Sequence, residues 1–200
     1  MTITIIIIAV TVLITLAGFN DESIINKLIL WPRYMDRPAE YYRFLTSGFI
    51  HADFNHLIFN MFTLYSFGSA IESFLGERFI LLYLTGIIIS SVPSYLKNRN
   101  NSGYRSLGAS GGVSSVLFFS IYFSPWSKIG IMFIPVGIPC IVFGLLYLIY
   151  CVVMSKRGQG NINHDAHLWG SLYGLFFAFL IDPTHGTYFI NGIMNRGSLF

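Results

Sequence analysis

The sequence predicts an all-α membrane protein with six transmembrane helices, and three observations carry that reading. Hydrophobic residues make up 54% of the 200 residues and charged ones only 10%, against roughly 25% charged in a typical soluble domain. Apolar runs recur along the chain, separated by polar connections. Their isoleucine and valine content does not argue for strands, because a lone strand in lipid leaves its backbone groups unpaired while a helix pairs them internally. The excess apolar surface therefore faces lipid. The net charge of +3 is small for so many basic loops; it describes no basic stripe and excludes nucleic acid as a partner.

The runs are read in order. Ile3 to Phe19 is almost wholly apolar; no basic residue precedes it and no small-x-small cleavage site closes it, so it is expected to be a retained first span rather than a signal peptide. Residues 20 to 50 mix charges such as Asp21, Glu40 and Arg43 with Trp31, Tyr34, Tyr41, Tyr42 and Phe44. Aromatics beside charges suit the headgroup layer, so this connection is expected to lie partly in the interface. Phe54 to Phe74 makes the second span, and Phe79 to about Leu96, with Pro93 near its end, the third. Lys97 to Leu107 is a polar loop. The fourth span, Ser110 to Phe123, is short: about 14 residues reach roughly 21 Å against a hydrocarbon core of about 30 Å. Ser110 is thereby expected below the membrane surface, in a place where irregular backbone must line a cavity or pack on protein. Pro135 and Pro139 delay the fifth span to about Ile138, from where it runs to Met154; the sixth runs from Ala166 to Ile181 and stops at Asp182-Pro183. Cys140 and Cys151 share one helix about 16 Å apart, cannot pair within it, and read as small apolar packing residues.

Chemistry concentrates where the chain enters spans two, four and six from the same side. His51, His56 and Asn60 stand at the first entry, Ser110 at the second, within Gly108-Ala109-Ser110-Gly111, and His167 at the third. A histidine inside a membrane segment is costly and usually functional. A serine hydroxyl becomes a nucleophile when a base such as neutral imidazole takes its proton, which pairs Ser110 with His167. Negative charge developing in acyl transfer needs donors. The Ser110 backbone N–H at a helix N-terminus supplies one; His56 and Asn60, four apart on one helical face, supply two more. Gly111, Gly112, Ser114 and Ser115 form a small-residue face that can meet Gly170, Ser171 and Gly174, letting backbones approach closely. Asp165, two positions from His167, points to another face and is expected to be solvated; His164, three before, can share the His167 face as a packing or hydrogen-bonding partner.

These residues resemble the rhomboid intramembrane serine proteases over roughly Glu40 to Pro183. The family's Gly-x-Ser-Gly is Gly108 to Gly111, its Ala-His-x-x-Gly is Ala166 to Gly170, and its His followed by His and Asn is His51, His56 and Asn60. Glu40-Tyr41-Tyr42-Arg43 is similar to its first-loop motif, and Ile71-Glu72 with Gly76 to the end of its second helix. The resemblance implies a single rhomboid-like domain over residues 1–200 with its core at about 40–183. It also implies a six-helix bundle, a Ser110/His167 dyad, and an oxyanion hole of His56, Asn60 and the Ser110 amide, supported by His51, Gly108, Gly111 and Gly170. The substrates implied are transmembrane segments of other proteins, with no cofactor and no metal. There are two departures: Ser114 stands where some members place an aromatic that stacks on the catalytic histidine, and Trp169 stands where small residues are frequent.

Sidedness is contested within the sequence. The loops before spans two, four and six carry nine of the twelve Lys and Arg, which the positive-inside rule assigns to the cytoplasm. Rhomboid-like topology places them outside, and the expectation follows it: a multi-pass protein of the bacterial cytoplasmic (inner) membrane, its site opening to the extracytoplasmic side. Two other functions compete. One is a catalytically silent rhomboid-like scaffold, which retention of Ser110, His167, His56 and Asn60 argues against. The other is a metal or haem protein using His51, His56, His164 and His167, but no His-Glu-x-x-His occurs and a five-residue spacing suits shared ligation poorly.

Overall fold

Helices fill the expected runs, and the connections fold more than expected. The computed structural model describes residues 2–131, 134–157 and 162–194. In chain order the elements are α1 (Ile3–Asn20), α2 (Glu22–Leu28), α3 (Arg43–Thr46), α4 (Phe54–Leu75), α5 (Arg78–Asn98), α6 (Ser110–Phe123), β1 (Lys128–Ile131), β2 (Ile134–Pro139), α7 (Cys140–Arg157), α8 (His164–Ile181) and α9 (His185–Met194). Among the described residues three helices, α1, α5 and α7, are long and apolar enough to cross a membrane; α6 is a shorter apolar helix. The helices α4 and α8 fall outside that group because they carry Asn55, His56, Asn60 and Glu72, and His164, Asp165 and His167.

The core is built around α6, in which Gly111 through Phe119 are all buried, as are Ile121 and Tyr122. With α5 and α8 packed on it, α6 has no face left for lipid. In α1 the pattern of a soluble helix is inverted. Thr4, Thr11 and Thr15 face the bundle, while Ile6, Val10 and Leu13 face outward. Each buried hydroxyl is hydrogen-bonded, as burial demands: Thr11 Oγ1 donates to the Ile7 carbonyl at 2.8 Å, and Thr4 Oγ1 to Glu72 at 2.7 Å. The same Glu72 carboxylate accepts the Ile3 and Thr4 amides at 2.7 and 2.9 Å, so it closes the positive end of α1.

The connections carry structure of their own. Residues 20 to 50, expected as one long polar connection, hold α2 and α3, and Arg43 stitches them together. Its Nη1 donates to the carbonyls of Asn26 and Ile29 at 2.9 and 3.0 Å, and its Nε to Glu40 at 2.7 Å. The third helix, expected to about Leu96, runs to Asn98 with Pro93 inside it. Pro135 and Pro139 do more than delay the fifth helix: they lie in β2, paired antiparallel with β1 in the register Lys128↔Pro139 and Ile129↔Ile138. A two-stranded ribbon has only edge strands, where proline is tolerated. Beyond Pro183 the amphipathic helix α9 packs back on α6, with Phe189 stacked on Tyr122 at 5.2 Å between ring centroids.

Candidate active site

The first turns of α4, α6 and α8 meet at one end of the bundle, and glycine makes both junctions. Gly108 has φ of 116°, a left-handed backbone that disfavours a side chain, and a Cβ there would lie 2.5 Å from Cε1 of His56. Its amide is held by the Ser47 carbonyl at 2.9 Å. On the other side a Cβ at Gly170 would collide with the Gly111 carbonyl oxygen and stand 3.0 Å from its carbon; one at Gly174 would collide with the Ser115 carbonyl. Between them the Ser115 hydroxyl donates to the carbonyls of Gly111 and Gly170, both at 2.9 Å. This is backbone-on-backbone packing of α8 on α6.

Ser110 is the first residue of α6, preceded by Ala109 at the N-cap. The Val113 amide is the first to bond within the helix, to the Ala109 carbonyl at 3.0 Å. The amides of residues 110 to 112 therefore have no helical partner and point where the dipole favours negative charge. The Ala109 amide is held from below: it donates to Nε2 of the fully buried His51 at 3.3 Å. His51 Nδ1 lies 3.1 Å from Thr15 Oγ1, which in turn lies 3.1 Å from the Phe49 carbonyl. The network assigns the tautomer: Nε2 accepts, Nδ1–H donates to Thr15, and Thr15 donates to Phe49. His51 thus ties α1 to the turn before Ser110. His56 crosses it edge-on, with centroids 4.9 Å apart. Asn60 is buried, and its Nδ2 donates to the His56 carbonyl at 2.9 Å, which commits one of two amide hydrogens.

His167 lies among aromatic rings. Tyr147 of α7 stacks on it at 6.0 Å with planes 17° apart, and His164 meets it edge-on at 5.8 Å. Among the described residues no hydrogen bond joins Ser110 to His167. The Tyr147 hydroxyl lies 3.2 Å from Ser114 Oγ. The residue that departs from the resemblance is thus tied to an aromatic from another helix, which stacks on the imidazole in its place. Ser114 accordingly faces α7, not α8 as its position on the small-residue face suggested. The missing side chains of Gly111 and Gly112 likewise open toward Ser90 and Ile87 of α5, while the Gly111 backbone meets α8.

Asp165, expected to be solvated, is half-buried and paired. It accepts Lys97 Nζ at 3.0 Å and the Ser155 hydroxyl, pinning α8 to the ends of α5 and α7. Asn163, which the sequence reading passed over, is the N-cap of α8: its Oδ1 accepts the Ala166 amide at 3.1 Å and the Ser94 hydroxyl at 3.1 Å, and its Nδ2 donates to Ser106 at 2.8 Å. An asparagine directly before an apolar helix was the available signal. Tyr147 had a weaker one, the gap left by Ser114. Cys151, taken as packing alone, offers its Sγ to a group with one ring nitrogen each of His164 and His167, all within 4.8 Å.

A mostly helical bundle with a serine turn, two histidine-bearing helices and glycine junctions defines a class, and the matches agree with it. Residues 38–183 match the Rhomboid domain. The chain belongs to the rhomboid family and is an integral membrane protein. It is 36% identical over 134 residues to Presenilin-associated rhomboid-like protein A, mitochondrial, of Danio rerio, covering 66% of this chain and 35% of that one. It is 28% identical over 172 residues to RHOMBOID-like protein 12, mitochondrial, of Arabidopsis thaliana, covering 76% and 50%. The putative rhomboid protease YdcA of Bacillus subtilis (strain 168) is 32% identical over 146 residues, covering 71% and 68%. The chain thus spans about a third to a half of the length of the two mitochondrial relatives.

Proposed function

We propose that this chain is an intramembrane serine endopeptidase that hydrolyses peptide bonds in or near transmembrane segments of other membrane proteins. The observation that carries the reading is the convergence of Ser110, His56 and His167 through glycine junctions that only small residues permit. Ser110 Oγ attacks the scissile carbonyl as His167 takes its proton. The oxyanion is received by the Ser110 amide, by His56 and by the uncommitted hydrogen of Asn60. His167 then gives its proton to the leaving amine, and a water activated by the same imidazole hydrolyses the acyl-serine. His51, Gly108, Gly111 and Gly170 position these groups without touching substrate.

The proposal extends to six crossings forming one domain over residues 1–200, with both ends of the crossing set on one side. It also places the protein in a bacterial cytoplasmic membrane with the site opening outward. The relative from Bacillus supports that membrane, whereas the two relatives named for mitochondria do not. A second reading, a silent scaffold that binds transmembrane helices, draws on the lack of a direct Ser110–His167 hydrogen bond among the described residues. Such bonds are often long before substrate arrives, so the first reading is preferred. Cleavage of a reporter transmembrane protein in vesicles separates them. The wild type cuts and Ser110→Ala does not; Asn60→Ala lowers kcat by about 10²- to 10³-fold with little change in KM, the scale for one oxyanion donor. Equal cleavage by folded Ser110→Ala removes the dyad, and no cleavage by the wild type leaves the scaffold.

A further inference from the structure

We propose that Cys151, His164 and His167 form a Zn²⁺ site whose occupation switches the enzyme off; the switch rests on the reading of His167 as the general base, while the site itself does not. Three ligand atoms, the Cys151 Sγ and one ring nitrogen of each histidine, lie within 4.8 Å of one another. Tetrahedral Zn²⁺ with bonds of about 2.0–2.3 Å holds such atoms roughly 3.5 Å apart. The difference is a side-chain adjustment of about 1 Å. Two helices supply the set, and His164 and His167 are three apart on one face of α8.

A second observation points to a ligand. His164 is 5% exposed, and its Nδ1 is buried with no hydrogen-bond partner among the described residues. A buried polar atom left unpaired costs about 1–3 kcal/mol, and a cation at that nitrogen would satisfy it. Cys151 is fully buried and unpaired as a disulfide. Asp165, the nearest carboxylate in sequence, is engaged with Lys97 and Ser155. The donor set is therefore one sulfur and two imidazoles, which favours Zn²⁺ over the oxygen-seeking Mg²⁺ and Ca²⁺. Binding displaces the thiol proton to solvent, leaves both imidazoles neutral and oxidises nothing. Water completes the fourth position.

Inhibition follows from the imidazole itself. A neutral ring has one lone pair available, and its other nitrogen carries the proton. Whichever nitrogen of His167 takes the metal, the remaining one is N–H and cannot accept the Ser110 proton. Zn²⁺ would thus hold the dyad inactive without entering the substrate path, and its removal would restore the base.

Co²⁺, which reports thiolate ligation by a near-ultraviolet charge-transfer band, tests the site on purified Ser110→Ala protein, where no turnover is needed. One equivalent is expected to produce the band, Zn²⁺ to abolish it by competition, and Cys151→Ala to lack it, with Cys151→Ser as a second variant should the smaller side chain unsettle the fold. In cleavage assays Zn²⁺ inhibits the wild type and a chelator reverses it. Cys151→Ala keeps cleaving and needs at least about 10-fold more Zn²⁺ for half-inhibition, the lower end of what disturbing even an outer-shell metal partner costs. Absence of the band in folded Ser110→Ala, its persistence in Cys151→Ala, or equal Zn²⁺ sensitivity of Cys151→Ala and wild type would each overturn the site. A wild type that gives the band and cleaves nothing keeps the site and removes the protease.

Discussion

Two walls flank the serine helix α6, and they are built on opposite principles. The α8 wall is backbone against backbone: Gly170 and Gly174 leave no room for a Cβ beside Gly111 and Ser115, and one serine hydroxyl bridges both helices. The α7 wall is made by side-chain tips. Only Cys140, Gly144 and Cys151 of α7 are buried, while Leu145, Leu146, Ile149 and Val153 face outward. Contact with the site comes through Tyr147, by its ring on His167 and its hydroxyl at Ser114. Backbone contact has no rotamers to adjust and so fixes a distance. Side-chain contact can adjust, and it fixes an orientation. In the proposed function, the Ser110/His167 pair would take its separation from the first wall and the set of its imidazole from the second.

If that division holds, damage to the two walls differs in size and kind. The largest effect is expected at Gly170→Val, which forces α8 from α6 without touching a catalytic group. A displacement of about 1 Å can cost roughly 100-fold in turnover. Gly130→Ala, in the hairpin, where an added Cβ meets nothing within 4 Å, is the control and should cleave like wild type. Comparable turnover of the two, on protein shown to be folded, would mean that the seam does not set the distance.

Tyr147→Ala should cost less, about tenfold, equivalent to the roughly 1.4 kcal/mol at the upper end of an aromatic pair. Tyr147→Phe keeps the ring and should recover most of that loss. If Phe is as poor as Ala, the Ser114 hydrogen bond rather than the stack orients His167. Smallest is Ser115→Ala, which removes an interhelical hydrogen bond worth about 0.6 kcal/mol in a membrane. It should lower thermal stability slightly while leaving turnover nearly unchanged, and a large loss of activity with unchanged stability would reverse its assignment to the seam.

The same contrast explains what the sequence disclosed. The α8 wall was legible because its glycines are spaced four apart and small residues have few other uses at that density. Ser110, His56 and His167 were legible because polar groups are conspicuous in apolar runs. The α7 wall was not. In a helix bounded by lipid on one side and core on the other, both sides are apolar, so periodicity does not say which of Tyr147, Tyr150 and Cys151 turn inward. The helix α1 hid its inward face the same way, since threonines buried among hydrogen-bond partners read like any other residue of the run. The hairpin β1–β2 was obscured because Pro135 and Pro139 signal only that a helix has not begun. The spacing of Asp165 from His167 gave no sign of its partners Lys97 and Ser155, which come from 68 and 10 residues away. Long-range partners of this kind leave no local pattern.

The central claim is that His167 activates Ser110, and a fluorophosphonate probe tests it without a substrate. Such probes phosphonylate only a serine whose proton is being taken by a base. Mass spectrometry of the labelled wild-type protein is expected to find one adduct, on Ser110, and labelling should fall to background in folded His167→Ala. An adduct on Ser110 that forms as fast in His167→Ala as in wild type, or an adduct on another serine, would contradict the account.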